Sequence, residues 1–280
     1  MTTETSSNAN LILQPRNECI AELIVYQSEW PKIRLGKSGD GGYVIADLAI
    51  NGLDEPTSPY DLIISCGIAE EDSFTRDAIQ IYKCPSFAFD GTISEYPKEY
   101  IIPEYPIKFY KMNIGAANTS TTTNLSELIR PYNNILLKMD IESYEYKWLL
   151  SLSDIELRKF KQITLEIHQF TYDIIYKPTG QSVSRIRFQD KLRALQKINR
   201  NFALIHAHPN NNGTIISING HQVSDLVELT YVRRGEFKSH DDLVPNSQEL
   251  PLNGLDFPNV PDKLDIALNF PPFVNKCASK

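Results

Sequence analysis

Short apolar runs that end in Gly, Asp or His alternate along this chain with segments whose apolar residues recur at helical spacing. That alternation restricts the fold more than any other feature. YDLIISCG, residues 60–67, is a continuous apolar strand ending in Gly67, and EEDSFTRDAIQIY follows it as a helix. SFAFDGT supplies a second strand that ends at Asp90. IKFYKMNIG, residues 107–115, is a third, LSELI a short helix, and NILLKMD, residues 134–140, a fourth strand. YEYKWLLSL continues as a helix, KQITLEIH is a fifth strand, and RIRFQDKLRALQKIN has the spacing of an amphipathic helix. Strands FALIHAH and LVELTYVR close the series. Apolar strands separated by helices predict an α/β fold with a mostly parallel sheet, because parallel neighbours need crossover connections and are covered on both faces.

A chain of 280 residues with 41% hydrophobic content can bury one large core. We read a single domain over 1–280, with an N-terminal extension (1–33), a catalytic core (34–244) and a Pro-rich C-terminal arm (245–280). The repeated prolines of VPNSQELPLNGLDFPNVPDKLDIALNFPPF forbid a long helix, so the arm is expected to be extended. The 28 Lys and Arg against 35 Asp and Glu give a net charge of −7, which argues against a general phosphate-binding surface. Neither nucleic acid nor membrane is expected as a partner; a small-molecule or glycan substrate is, and a homo-oligomer is left open. Cys19, Cys66, Cys84 and Cys277 are scattered with no CxxC pair, and MTTETSSNAN has no charged and apolar leader pattern. The expected location is cytoplasmic.

Ligands of open parallel sheets bind beyond the carboxyl ends of the strands. The first strand runs into Cys66 and Gly67, where a glycine lets backbone approach a ligand. Asp90 ends the second strand about 20 residues on, where an acid can accept from two ribose hydroxyls. Asn113, near the end of the third strand, is a further cofactor contact. Neither GxGxxG nor GxxxxGK[ST] is present. A ribose-bearing cofactor without a phosphate cradle is indicated, and S-adenosylmethionine meets that description.

DLIISCGIAEEDSF, Asp90, LLKMDIESYEYKWLL and TLEIHQF, in this order, resemble the FkbM-type S-adenosylmethionine-dependent methyltransferases, whose hallmark is a K-x-D-x-E-G-x-E segment after the fourth strand. RLGKSGDGGYV, HPNNN, VELTYVRR and LDFPN extend the similarity from about Arg34 to Asn259. Ser143 stands where the hallmark has Gly. The resemblance implies a Rossmann-like class I methyltransferase fold with a seven-stranded sheet, and O-methylation of a saccharide or sugar-nucleotide hydroxyl. Two other readings stand beside it: a methyltransferase-like binding protein without activity, and a nicotinamide-dependent oxidoreductase.

A sugar hydroxyl is a poor nucleophile near neutral pH, so its proton must be taken by a base or its pKa lowered by a metal. Asp140, Glu166 and His168 lie at or near the ends of adjacent strands. Together they offer an O,O,N set for Mg²⁺ or Mn²⁺, or a base oriented by a carboxylate. Asp140 also serves as a cofactor contact in this reading, or as a simple helix cap. Glu142 reads as a first-turn carboxylate favoured by the helix dipole. His208 is a further base, with Asn211 and Asn212 as donors to substrate hydroxyls, while His206 reads as structural. Asp40 and Gly42 of DGGYV are candidates for the amino-acid end of the cofactor, or for a tight turn alone. Tyr172 and Tyr176 are candidates for stacking on a sugar ring.

Overall fold

In a computed structural model, which describes residues 18–49, 58–170, 186–239 and 243–275, each of the seven expected sheet strands forms. Tyr172, Tyr176 and Cys277 lie outside the described residues. The strands are β3 (Leu62–Cys66), β4 (Ser86–Phe89), β5 (Ile107–Tyr110), β8 (Ile135–Met139), β9 (Phe160–Ile167), β10 (Phe202–Pro209) and β13 (Val227–Arg233). They lie in the order β10-β13-β9-β8-β3-β4-β5. β13 runs antiparallel to both neighbours, and the pairs from β9 to β5 are parallel. A mostly parallel seven-stranded sheet with one antiparallel strand inserted next to the edge is the Rossmann-like class I methyltransferase arrangement.

Period-two alternation divides the core between the two faces of this sheet. Ile63 and Leu136 point to the face covered by helix α1 (Ser73–Tyr82), where Phe74, Ala78 and Ile79 meet them. That face is shared with an antiparallel hairpin, β1 (Lys32–Leu35) and β2 (Tyr43–Ala46). Leu62, Ile64, Ile135 and Leu137 face the other way, against α2 (Glu145–Ser151), the single turn α3 (Asp154–Leu157) and α4 (Phe188–Asn201). Trp148, Leu149, Leu195 and Ile198 are the helical side of that layer. A capping box starts α3, with Ser153 Oγ accepting from the Glu156 N–H and Glu156 accepting from the Ser153 N–H.

Three local expectations are corrected. LSELI forms a run of turns, not a helix: Leu125 sits at φ 70°, the Thr123 hydroxyl takes its N–H, and Pro131 bars a helix from extending past it. The third strand divides, because β6 (Asn113–Ile114) leaves the main sheet to pair with β7 (Thr122–Thr123). A hairpin absent from the sequence reading, β11 (Ile215–Ile218) and β12 (His221–Ser224), turns at Asn219 and Gly220, both left-handed. A short 3₁₀ turn at Arg234–Glu236 precedes the arm, whose described part has no helix or strand of its own and is broken by turns such as Leu252–Leu255 and Phe270–Phe273. No described helix is long and apolar enough to cross a membrane.

Candidate functional site

From β3 the chain moves outward through β4 to β5, then returns to β8 on the other side of β3, so the loops after these strands diverge. A crevice opens at such a switch point. Here it is a cavity of about 770 Å³, walled by Gly67 and Ala69 after β3, Asp90 and Thr92 after β4, and Asp140, Ile141 and Glu142 after β8. Residues 113–117 close one side, and Tyr144 and Lys147 of the α2 region another. The size suits a cofactor with part of its substrate.

Gly67 has φ 71°, and a Cβ there would stand 1.6 Å from the Asp140 carbonyl oxygen. The glycine therefore serves the near contact of the β3 and β8 loops rather than only the approach of a ligand. The Asp140 N–H donates to the Cys66 carbonyl at 3.0 Å, which fastens the same two loops together. Cys66 itself is fully buried, burial pushes its thiol well up, and its side chain does not line the cavity. Lys138, only 4% exposed within β8, donates to the Gly67 carbonyl at 2.7 Å and sits 5.5 Å from the centre of the Tyr43 ring. Sequence reasoning passed over it, although a lysine inside ILLKMD had to find a buried acceptor.

Asp90 is the most densely bonded residue of the rim. Its Oδ2 accepts from the N–H groups of Ile68 (3.1 Å) and Ala69 (2.8 Å), and its Oδ1 from the Thr92 N–H (2.7 Å) and hydroxyl (2.5 Å). Burial alone would push the carboxyl up, but the donations from Thr92, Ala69 and Ile68 outweigh it and hold Asp90 below the usual range. All four lone-pair positions are taken. A ribose would have to exchange with the Thr92 hydroxyl, the one donor of the four that can rotate away. Asn113 lines the cavity and backs onto Gly91, where a Cβ would meet its side-chain oxygen at 2.3 Å.

DGGYV supplies the end of the turn between β1 and β2 (Asp40–Gly42) and the first residues of β2 (Tyr43, Val44); none of the five lines the cavity. Arg34 gathers it: the guanidinium donates to the carbonyls of Lys37 (2.9 Å), Gly39 (2.6 Å) and Gly42 (2.9 Å), and to Leu255 of the arm (3.0 Å). A Cβ at Gly42 would lie 2.0 Å from the Lys37 oxygen. Gly42 answers to crowding in a turn, and Asp40 is exposed and does not line the cavity.

At the other end of the cavity Asp140 and His168 come together as expected, with 3.6 Å between Asp140 Oδ1 and His168 Nε2. The third donor there is the Glu142 carboxylate, at 3.6 Å from the same nitrogen, and the three donor atoms lie within 4.8 Å of one another. Glu142 is not in the first turn of α2; it precedes the helix at φ 55°, and Glu145 is the first-turn acid. Asp140 makes no capping bond to α2; its Oδ2 accepts from the Tyr43 hydroxyl at 3.4 Å. Glu166 is outside the three-atom set, which corrects its assignment as a ligand. Its carboxylate accepts from Asn210 Nδ2 at 2.9 Å and stands directly across the ladder from Glu228, and burial together with the charges of Asp140 and Glu228 pushes it well up.

His168 Nδ1 bonds to Glu145 Oε1 at 3.0 Å. Burial disfavours its charge, but that bond and the charges of Glu145, Asp140 and Glu166 push the imidazole up to about 10. Without an ion that imidazolium offsets the charges of Glu145, Asp140 and Glu166; a cation at the same place would take over that role, and the Nε2 proton would leave.

His208 is committed elsewhere. Its Nδ1 meets Glu228 Oε2 at 3.3 Å and its Nε2 meets Asp265 Oδ1 at 3.1 Å, and against the opposing effect of burial these bonds push it up to about 10. An imidazolium with both nitrogens engaged has no site for a proton, so the expectation of a catalytic base is corrected. Asn211 is likewise occupied by the arm: it accepts from the Val260 N–H at 2.8 Å and donates to the Val260 and Lys263 carbonyls. Asn212 accepts from Lys263 at the surface. His206, read as structural, pairs with Asp256 of LDFPN at 2.9 Å, and Asn259 of the same segment donates to Glu228 at 2.8 Å.

No family model matches the chain, and no curated protein matches it. Among solved structures it is similar to the Methanococcus jannaschii fibrillarin pre-rRNA processing protein, with 13% identity over 73% of this chain and 83% of that one, at a TM-score of 0.35. It is also similar to TrmN from Thermus thermophilus, with 11% identity over 63% of this chain and 45% of that one, at a TM-score of 0.33. The methyltransferase domain of bacterial CtHen1 is a third, with 10% identity over 62% of this chain and 91% of that one, at a TM-score of 0.31.

Proposed function

We propose that this chain is an S-adenosylmethionine-dependent methyltransferase that acts on a hydroxyl of a saccharide or sugar-nucleotide acceptor. The observation that carries the reading is the cavity at the carboxyl ends of β3, β4 and β8, with an ionised Asp90 at the tip of β4 and no phosphate cradle beside it. In this reading Asp90 would hold the cofactor ribose by exchanging the Thr92 hydroxyl for one of the ribose's own, and Asn113 and Asp140 would line the remainder of the cofactor site. The acceptor enters past Tyr144 and Lys147 at the α2 side. Methyl transfer forms the new O–CH₃ bond as the S–CH₃ bond breaks, the bonding pair staying on sulfur. The hydroxyl proton leaves in the same step or before it, into the carboxylate-rich end of the cavity. A divalent cation, Mg²⁺ or Mn²⁺, belongs to this reading as the agent that lowers the hydroxyl's pKa there.

Ser143 adopts φ 81°, a left-handed conformation that glycine takes freely, which supports an active enzyme over a binding protein. Calorimetric titration with S-adenosylmethionine tests the first step, and the mass of products from a panel of saccharides and sugar nucleotides tests the second. Binding with a gain of one methyl mass on an acceptor is expected. A folded protein that does not bind the cofactor would overturn the reading.

A further inference from the structure

The loop after β8 builds something more specific than a polar end to the cavity. Asp140 and Glu142 converge on one nitrogen of His168, at 3.6 Å each, too far for hydrogen bonds and at a spacing that leaves room for an ion between them. The histidine is positioned for that task. Its side chain is 9% exposed, its Nδ1 is held at 3.0 Å by Glu145, a residue with 0% exposure, and its Nε2 has no hydrogen-bond partner among the described residues. A carboxylate behind one ring nitrogen fixes the tautomer and aims the other nitrogen outward, the arrangement that orients metal-ligating histidines. Glu145 is itself anchored, since its Oε1 also accepts from the Ile141 N–H at 2.9 Å inside the same loop.

We infer that Asp140 Oδ1, Glu142 Oε2 and His168 Nε2 bind one divalent cation, with Glu145 as the positioning residue behind His168. Two carboxylate oxygens and one imidazole on the same side leave the remaining positions of an octahedral ion open to water or an acceptor hydroxyl. The nitrogen ligand favours Mn²⁺ over Mg²⁺ at such a set. Glu142, with an 87% exposed side chain, is the ligand from the solvent side, and Asp140 is shared with the cavity wall. The use of the ion in catalysis rests on the methyl-transfer reading; its binding does not.

The test is titration of the full chain with Mn²⁺, followed by the electron paramagnetic resonance signal of the free ion, with S-adenosylmethionine titrated separately into the same preparation. One Mn²⁺ per chain is expected, with at least ~10-fold weaker binding in Asp140→Asn and His168→Gln, and ~10-fold or more in Glu145→Gln through the loosened histidine. Glu142→Gln changes an exposed side chain and leaves the core untouched; it should weaken Mn²⁺ binding severalfold in a protein whose circular dichroism is unchanged. Wild-type protein that leaves millimolar Mn²⁺ free would overturn the site, as would Glu142→Gln and His168→Gln variants that bind it like the wild type. Mn²⁺ binding without cofactor binding would keep the site and remove the methyl-transfer reading. Cofactor binding without Mn²⁺ would do the reverse.

Discussion

Two polar regions of this molecule are built from the same residue types and differ in what is left unused. Around the cavity, Asp140, Glu142 and His168 keep donor atoms that face one another without a hydrogen bond. Across β9, β13, β10 and the arm, Glu228, His206, His208, Asn211, Asp256 and Asn259 are engaged with one another or with backbone. Both regions are charged, and both keep open atoms: His206 Nδ1 and Asn259 Oδ1 are buried without a hydrogen-bond partner. What sets the cavity apart is that its open donor atoms converge on one point, whereas the second network spends most of its bonds holding a proline-rich segment onto the sheet.

The cavity region depends first on Gly67, where its two loops meet. Gly67→Val places a Cβ against the Asp140 carbonyl at a positive φ, and the expected result is loss of the folded state, a penalty above ~4 kcal/mol. Thermal unfolding by circular dichroism checks this, and a stable Gly67→Val protein would show that the β3 and β8 loops are not locked together. Next in size is His208→Ala, which strands Glu228 and Asp265 and should cost about 3–5 kcal/mol of stability. Limited proteolysis should then cut the arm. If turnover vanished while stability and proteolysis stayed as in the wild type, His208 would belong with the catalytic region after all.

The same histidine gives a pH test. Its folded-state value is raised from 6.5 to about 10, so the stability it contributes is fully present below 6.5 and is lost as pH rises through about 10. Denaturant midpoints of the wild type should fall across that window, and those of His208→Gln should fall less.

On the cavity side, Asp90→Ala removes an acceptor of four donations and should weaken S-adenosylmethionine binding by roughly 2 to 4 kcal/mol in calorimetry. Unchanged affinity would take Asp90 out of the site. The smallest effect is expected of Ser143→Gly, which relieves a left-handed serine and should stabilise the protein by about 1 kcal/mol or less, after the entropic cost of glycine. A lower melting temperature would mean that the serine side chain is needed where it stands.

The sheet was legible because each of its strands is a run of apolar residues whose two faces are both covered, a pattern visible without knowing any partner. The hairpin of β1 and β2 was not, since RLGKSGDGGYV reads as a motif until Arg34 is seen to gather the turn's carbonyls. The β11–β12 turn did carry a local signal, Asn219-Gly220, that passed unread. Asp140 and His168 were found as a pair because strand ends are where ligands bind. Glu142 and Glu166 were exchanged for a geometric reason: alternation along β9 says which side Glu166 leaves from, but only the ladder shows Glu228 opposite it. His208 was misread because its partner Asp265 lies 57 positions away, in an arm whose path no periodicity reveals.

β13 is made last and placed between two strands that precede it. Until residues 227–233 arrive, β9 and β10 each present an unpaired row of backbone groups, and no earlier strand of the main sheet can close the gap. During synthesis the nascent chain therefore carries two open edges flanked by apolar side chains, the surface on which β-rich intermediates associate with one another. In the completed sheet β13 pairs with both, and the two rows are covered.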